Sequence, residues 1–101
     1  MKRITSYEQL YKFEQERGNT AVADGFVEQD DQAWWFNNWA HEMKQFWDDR
    51  KVVEMLVLEG DEIEDEQYGL VKFAGSGKYE MVYMCYYSGC SGSVIFMVSD
   101  D

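Results

Sequence analysis

The chain has 101 residues and 17% aromatic side chains, enough for one folded domain, residues 1–101, around a single core. It carries 20 Asp and Glu against 9 Lys and Arg, a formal net charge of −11. This charge repels phosphate backbones and no segment is apolar enough to span a bilayer, so we expect neither direct nucleic-acid binding nor membrane insertion.

The first predicted element is a helix over residues 6–17. Thr5 and Glu8 have the spacing of a capping box, in which hydroxyl and carboxylate satisfy backbone donors at the helix start. Gly18 supplies the left-handed residue that ends many helices. The outward face carries charges of both signs, which is typical of a solvated surface: Glu8, Lys12, Glu14, Glu16 and Arg17.

Residues 19–29 allow two interpretations. The spacing of their apolar residues favours a short helix capped by Asn19, whereas the dipeptide Asp24-Gly25 is typical of a turn. The short helix is the preferred prediction.

The strongest helix signal covers residues 31–51, around which the rest of the chain must pack. Asp30 and Asp31 suit the positive end of a helix dipole, and Arg50 and Lys51 suit its negative end. The apolar residues recur every three or four positions and form one stripe: Trp35, Phe36, Trp39, Ala40, Met43, Phe46 and Trp47.

Trp34 lies about a hundred degrees around this helix from Trp35, away from the stripe, so we expect it to be partly exposed. One interpretation is that Phe26 and Val27 cover it. The other is that Trp34 anchors a partner, because tryptophan is enriched among interface hot spots.

From Val52 the apolar period changes to two, which predicts strands. The four predicted strands are residues 52–59, 68–74, 79–87 and 93–99. Short glycine-containing turns join the later strands, so neighbours in sequence must pair antiparallel. The sequence thus predicts an α+β fold, with two or three N-terminal helices packed on one face of a four-stranded antiparallel β-meander.

The third strand is apolar on both sides, so the sequence leaves open which sheet face the helices cover. Tyr79, Met81 and Tyr83 share one face with Cys85, opposite Val82. Three interpretations of a surplus of uncovered Tyr and Met are open: a second binding surface, the seam of a homodimer, or tyrosines whose hydroxyls are simply hydrated.

The acidity is unevenly distributed. Residues 1–51 have net charge −3, whereas residues 52–101 have ten acids, two bases and net charge −8. Seven carboxylates follow one another in thirteen residues without a base: Glu54, Glu59, Asp61, Glu62, Glu64, Asp65 and Glu66. The centre of this run, GDEIEDEQ, lies between the first two predicted strands and is expected to be a surface loop.

Such a loop attracts a cation, and three occupants are open: a metal ion, a basic protein surface, or only water. The run lacks the glycine and the length of an EF-hand, which argues against calcium, and we expect no cofactor. The favoured interpretation is docking on a basic protein, with Trp34 as a further contact, because arrayed carboxylates can imitate a phosphate backbone. Asp48, Asp49, Asp100 and Asp101 could extend the array.

No catalytic signature is present, so we expect a protein that is not an enzyme. His41 is the lone histidine, and no nucleophile, phosphate loop or zinc-ligand spacing accompanies it. Cys85 and Cys90 flank a predicted hairpin and are expected to be free thiols. The polar start, MKRITSYEQ, does not read as a signal peptide, so a cytoplasmic location is expected.

In size, charge and the GDEIEDE run, the chain resembles the small acidic phage-encoded inhibitors of host defence, the anti-CRISPR and anti-restriction DNA mimics. The resemblance implies a nuclease or nuclease complex as partner, a bacterial cytoplasm, and no chemistry of its own. Two alternatives remain: an immunity protein or antitoxin against a basic nuclease toxin, and a non-inhibitory adaptor or homodimer that uses the aromatic sheet face.

Overall fold

The structure, a computed structural model, describes residues 1–60, 66–87 and 93–99. Within these ranges the chain forms two helices and a five-stranded antiparallel sheet, an α+β fold. The elements in chain order are β1 (Lys2–Ile4), α1 (Tyr7–Ala23), α2 (Gln29–Asp49), β2 (Val52–Val57), β3 (Gln67–Phe73), β4 (Glu80–Tyr87) and β5 (Ser93–Val98). The strands lie side by side in sequence order, so β2 to β5 form the predicted meander.

Strand β1 was not predicted, and the prediction of four strands is wrong by this one. β1 pairs antiparallel with β2, so that Lys2 lies opposite Val57 and Ile4 opposite Met55. Only Ile4 of its three residues is buried. Three residues show too little alternation to distinguish a strand from a polar N-terminus.

Helix α1 starts close to the predicted position but with different caps. The hydroxyl of Ser6, not Thr5, accepts the backbone N–H of Gln9 at 3.2 Å, and the side chain of Gln9 accepts the N–H of Thr5 at 2.8 Å. The helix then continues through Gly18, so the predicted stop there is wrong. Gly18 lies where α2 comes close, and a Cβ at this position would collide with the amide of Gln32.

The end of α1 is a Schellman motif. Gly25 has φ +82°, its N–H donates to the carbonyl of Val22 at 3.1 Å, and the N–H of Phe26 donates to the carbonyl of Ala21 at 3.0 Å. The turn interpretation of Asp24-Gly25 is therefore correct, and the separate short helix over residues 19–29 is wrong.

Helix α2 begins and ends two residues before the predicted positions. Glu28 is its N-cap residue but makes no side-chain capping bond, and Asp30 and Asp31 lie in the first turn. Lys51, with φ 55°, follows the helix and leads into β2. The predicted stripe forms the core side of the helix, and five of its members are buried: Phe36, Trp39, Met43, Phe46 and Trp47.

The helices cover the face of the sheet that carries Met55, Val57, Val71 and Val82, all of which are fully buried. The strand pairings place Leu56 opposite Leu70, Leu70 opposite Met81, and Tyr83 opposite Met97 on the other face. The described helices leave this second face, called the open face below, uncovered. The face with Tyr83 is thus the open one.

Candidate functional site

The acidic connection, residues 59–66, leaves the sheet from paired strands. The N–H of Leu58 donates to the carbonyl of Tyr68 at 3.0 Å, next to the pairing of Val57 with Gly69. Four predicted partner-binding residues lie outside the described residues, and their role stays a prediction: Asp61, Glu62, Glu64 and Asp65. Leu58 and Tyr68, with their neighbours in β2 and β3, form the base of the connection.

A bulge in β3 shapes this base. The register between β3 and β4 shifts between Gln67 and Gly69. Gly69 lies so close to the carbonyl of Leu56 that a side chain would collide with it. The extra residue at the bulge turns Tyr68 to the helix side, where it is buried and packs edge-on against Phe96.

A buried polar cluster ties α1 to this base. Glu14 is 3% exposed, and it accepts hydrogen bonds from the hydroxyl of Tyr68 at 3.1 Å and from the guanidinium of Arg17. A second nitrogen of Arg17, Nη1, donates to the carbonyl of Leu58 at 2.7 Å. The Glu14–Arg17 pair and the carbonyl of Leu58 thus hold the start of the acidic connection against α1.

Burial controls the ionisation of this cluster. Removal from water raises the pKa of the Glu14 carboxyl, although Arg17 and Tyr68 partly oppose the shift. Burial also raises the pKa of Tyr68 well above its usual value, so Tyr68 remains a hydrogen-bond donor. The cluster therefore contains a carboxylate whose charge is costly to keep buried and is stabilised mainly by Arg17.

The prediction that Glu14 and Arg17 belong to a solvated face is wrong. Glu14 is one helical turn after the fully buried Leu10, and Arg17 and Ala21 continue the same side of α1. This spacing was present in the sequence. It was missed because the helix was predicted to end at Gly18, before the stripe was complete.

Glu59 and Glu66 are the first and last residues of the acidic connection, and both are described. Glu59 is half exposed, and its carboxylate lies 3.7 Å from the N-terminal ammonium of Met1. Glu66 is exposed and accepts the thiol of Cys85, a free and buried cysteine, at 3.1 Å. That hydrogen bond to Glu66, together with burial, raises the pKa of the Cys85 thiol. Cys90 lies outside the described residues.

Glu54, also predicted to bind a partner, lies within β2 and has partners in the chain. Its carboxylate accepts the hydroxyl of Tyr79 and the Nε of Arg3, the latter at 2.9 Å. The hydrogen bond from Tyr79 has the larger effect and that from Arg3 the smaller, and both lower the pKa of the Glu54 carboxyl. Because Arg3 compensates its charge, Glu54 adds less to the negative field than its place in the sequence suggested.

Trp34 is 43% exposed, and the proposed cover is only partial, since Phe26 is 82% exposed. Trp34 lines a groove between α1 and the first turns of α2, together with Val27 and Asp31. Sequence reasoning had selected Trp34 but not the groove, because the groove depends on how α1 and α2 cross.

Comparisons of the chain with protein-family models, with curated proteins and with solved structures find no match. Across residues 1–60, 66–87 and 93–99, no helix combines the length and apolar character needed to cross a membrane. In the same described ranges, no three His, Cys, Asp or Glu side chains are grouped as metal ligands would be.

Proposed function

We propose that the chain is a stoichiometric inhibitor that covers the nucleic-acid-binding surface of a basic partner, such as a CRISPR effector or a restriction nuclease. The observation that carries the proposal is the acidic connection, which has six carboxylates and no base in eight residues. Carboxylates at this density compete with phosphates for Arg and Lys on a partner.

The anchoring of the connection supports this proposal. Both of its ends continue into paired strands, and Arg17 binds the carbonyl of Leu58 immediately before Glu59. Arg17 is itself paired with Glu14, so its charge is already used within the chain, and among the described residues of the connection the N-terminal ammonium of Met1 lies 3.7 Å from the carboxylate of Glu59. A segment whose ends are fixed loses less conformational entropy when it binds than a free tail does.

The direct test neutralises the connection with near-isosteric side chains. The five changes are Asp61→Asn, Glu62→Gln, Glu64→Gln, Asp65→Asn and Glu66→Gln. Purified CRISPR effectors, restriction nucleases and nuclease toxins form the assay panel, and inhibition of their DNA cleavage is the readout. The wild type should inhibit at least one of these enzymes at a ratio near one to one, and the neutralised variant should not.

A matched control removes five exposed or partly exposed carboxylates elsewhere, so that total charge is equal in the two variants: Glu8→Gln, Glu16→Gln, Glu42→Gln, Asp49→Asn and Glu80→Gln. The control should keep most of the inhibition. Equal inhibition by the neutralised variant, or no inhibition of any enzyme by the wild type, would remove the mimic proposal. If the wild type inhibits only a nuclease toxin, the result would support the antitoxin alternative.

The open face supports a second candidate, an adaptor or homodimer. Met97 is exposed there, and its neighbours across the sheet include Tyr83. An apolar seam predicts association that persists in high salt, whereas charge-led docking weakens as salt screens it. Sedimentation of the wild type and of Met97→Asp in low and high NaCl distinguishes the two. A salt-resistant dimer that Met97→Asp dissociates would support the homodimer.

A further inference from the structure

A groove of about 660 Å³ separates the C-terminal half of α1 from the first turns of α2. Gly18 and Ala21 form the α1 wall, and Asp31, Trp34 and Trp35 form the α2 wall. Gly18 and Ala21 add little bulk to the α1 wall, the side chain of Gln32 reaches across from α2 to Gly18, and the two indoles make much of the surface aromatic. Its volume is within the range of pockets that enclose one ligand group or a few side chains.

Phe26, which directly precedes the groove residue Val27, is an exposed aromatic side chain on a fixed backbone. The Schellman hydrogen bond from the N–H of Phe26 to the carbonyl of Ala21 fixes the backbone at Phe26. The residue at this position of the motif commonly packs back on its own helix, yet Phe26 is 82% exposed. Val27, its neighbour in the chain, and Trp34 both line the groove and are 38% and 43% exposed, and exposed apolar side chains at a groove are typical of interaction sites.

The charge around this groove has one sign. Residues 18–43 contain five Asp and Glu and no Lys or Arg. Asp24, Glu28, Asp30 and Asp31 are exposed, and none of them is in an ion pair within the described chain. Arg17 is the cation that lines the groove, and Glu14 neutralises it. The charge around this groove therefore favours a basic occupant.

We propose that the groove binds a basic segment of a partner protein through an arginine. The guanidinium lies against the indole of Trp34 with its charge facing Asp31, and an apolar neighbour in the segment packs on Phe26 and Val27. A guanidinium is suited to this site because it stacks on aromatic rings while donating hydrogen bonds to a carboxylate.

As a second contact with the basic partner, this proposal rests on the proposed function, although the groove can be tested alone. The two surfaces are neighbours: Arg17 lines the groove and also binds the carbonyl of Leu58, next to Glu59. One basic surface can therefore contact the groove and Glu59 together. The groove would select arginines flanked by apolar residues, which a simple charge array cannot do.

The probe is the peptide acetyl-Gly-Arg-Leu-Arg-Gly-amide, titrated into the isotopically labelled protein and followed by amide chemical shifts. The titration uses the variant with the acidic connection neutralised, so that binding there does not contribute. Shifts should concentrate at residues lining the groove. A peptide with citrulline in place of arginine keeps the shape without the charge, and it should bind about tenfold more weakly.

Two substitutions in the groove have matched controls elsewhere. In the same background, Trp34→Ala and Asp31→Asn should each raise the dissociation constant about fivefold. Met97→Ala and Asp49→Asn, which remove an exposed apolar side chain and an exposed carboxylate outside the groove, should change it less than about twofold. Urea unfolding of each variant checks that the fold is retained, and Trp34→Phe, which keeps a ring, should recover part of the affinity.

If Asp31→Asn and Asp49→Asn weaken peptide binding equally, the peptide is attracted by net charge alone, and the proposed groove site would be overturned. Equal binding of the citrulline peptide, shifts elsewhere on the surface, or no shifts at millimolar peptide would also overturn it. Groove binding without inhibition of any nuclease would leave this inference standing and remove the proposed function. Inhibition without groove binding would do the reverse.

Discussion

Trp34 and Trp39 are similar side chains on one helix with opposite environments. Trp39 is fully buried, and its ring stacks on Phe36 with centroids 5.5 Å apart, whereas Trp34 is 43% exposed. The difference follows from position, because five residues rotate the side chain by well over a quarter of a turn around the helix. One tryptophan is therefore part of the core, and the other is partly exposed at the surface.

This contrast predicts the stability of two alanine variants. Trp39→Ala should lower the free energy of unfolding by about 3 to 5 kcal/mol, because it removes a large core side chain and leaves a cavity. Trp34→Ala should lower it by less than about 1 kcal/mol, the usual range for an exposed position. Urea denaturation monitored by circular dichroism measures both. Full stability of Trp39→Ala would mean that the core is wrongly assigned.

Two carboxylates predict opposite responses of stability to pH. Burial raises the pKa of Glu14, so its protonation favours the folded state, and its contribution to stability grows as pH falls. Hydrogen bonds from Tyr79 and Arg3 lower the pKa of Glu54. The contribution of Glu54 is therefore present above its ordinary pKa and is lost as pH falls through its folded-state value.

The test compares each carboxylate with its neutral amide. Between pH 7 and pH 4, the unfolding free energy of the wild type should rise relative to that of Glu14→Gln and fall relative to that of Glu54→Gln. Urea unfolding at several pH values gives both differences. Differences that change in the same direction would contradict the environment assigned to one of the two carboxylates.

At the scale of elements, two glycines of α1 have different roles. Gly25 needs its left-handed backbone, with φ +82°, to end the helix, so Gly25→Ala should cost about 1 kcal/mol. Gly18 is inside the helix, where alanine is better by about 1 kcal/mol, but the new Cβ would meet the side chain of Gln32.

Gly18→Ala should therefore stabilise the domain fully only when Gln32→Ala has removed the obstructing amide. Thermal unfolding of the two single variants and the double variant measures the coupling. An equal gain from Gly18→Ala with Gln32 present would show that the close approach of α2 does not explain the glycine.

The sequence predicted the elements that carry strong periodicity and missed those set by contacts distant in sequence. The α2 stripe and strands β2 to β5 were found because apolar residues repeat over many positions. Gly18 has the same local signal whether it ends a helix or allows two helices to approach. Glu14 looked solvated because its partner Tyr68 is 54 positions away and is turned inward by a bulge.

In the candidate site too, features with a local sequence signal were predicted and features set by distant contacts were not. The sequence identified the acidic connection and the exposure of Trp34, because charge density and helical angle can be read directly from residues. It could not identify the compensation of Glu54 by Arg3, since that contact depends on β1 pairing with β2. The groove likewise depends on the crossing of the two helices.

For the whole molecule, the placement of charge matters more than its total. The described ranges hold fourteen acids and nine bases, net −5, so the remaining six of the eleven negative charges belong to residues 61–65 and 100–101. Several described carboxylates have partners within the chain, such as Glu14 with Arg17 and Asp48 with Lys44. Repulsion is therefore expected to be strongest at the acidic connection.

This distribution predicts how salt affects the two five-residue charge variants. Screening of repulsion should raise the melting temperature of the wild type as NaCl increases from low concentration, because the Debye length falls from about 30 Å at 0.01 M to about 10 Å at 0.1 M. Both variants have net charge −6 at neutral pH, five charges fewer than the wild type. If repulsion is concentrated in the acidic connection, neutralising it should remove more of the salt dependence than neutralising the control positions. Equal salt dependence in both would show that repulsion is spread over the surface and is not concentrated in the connection.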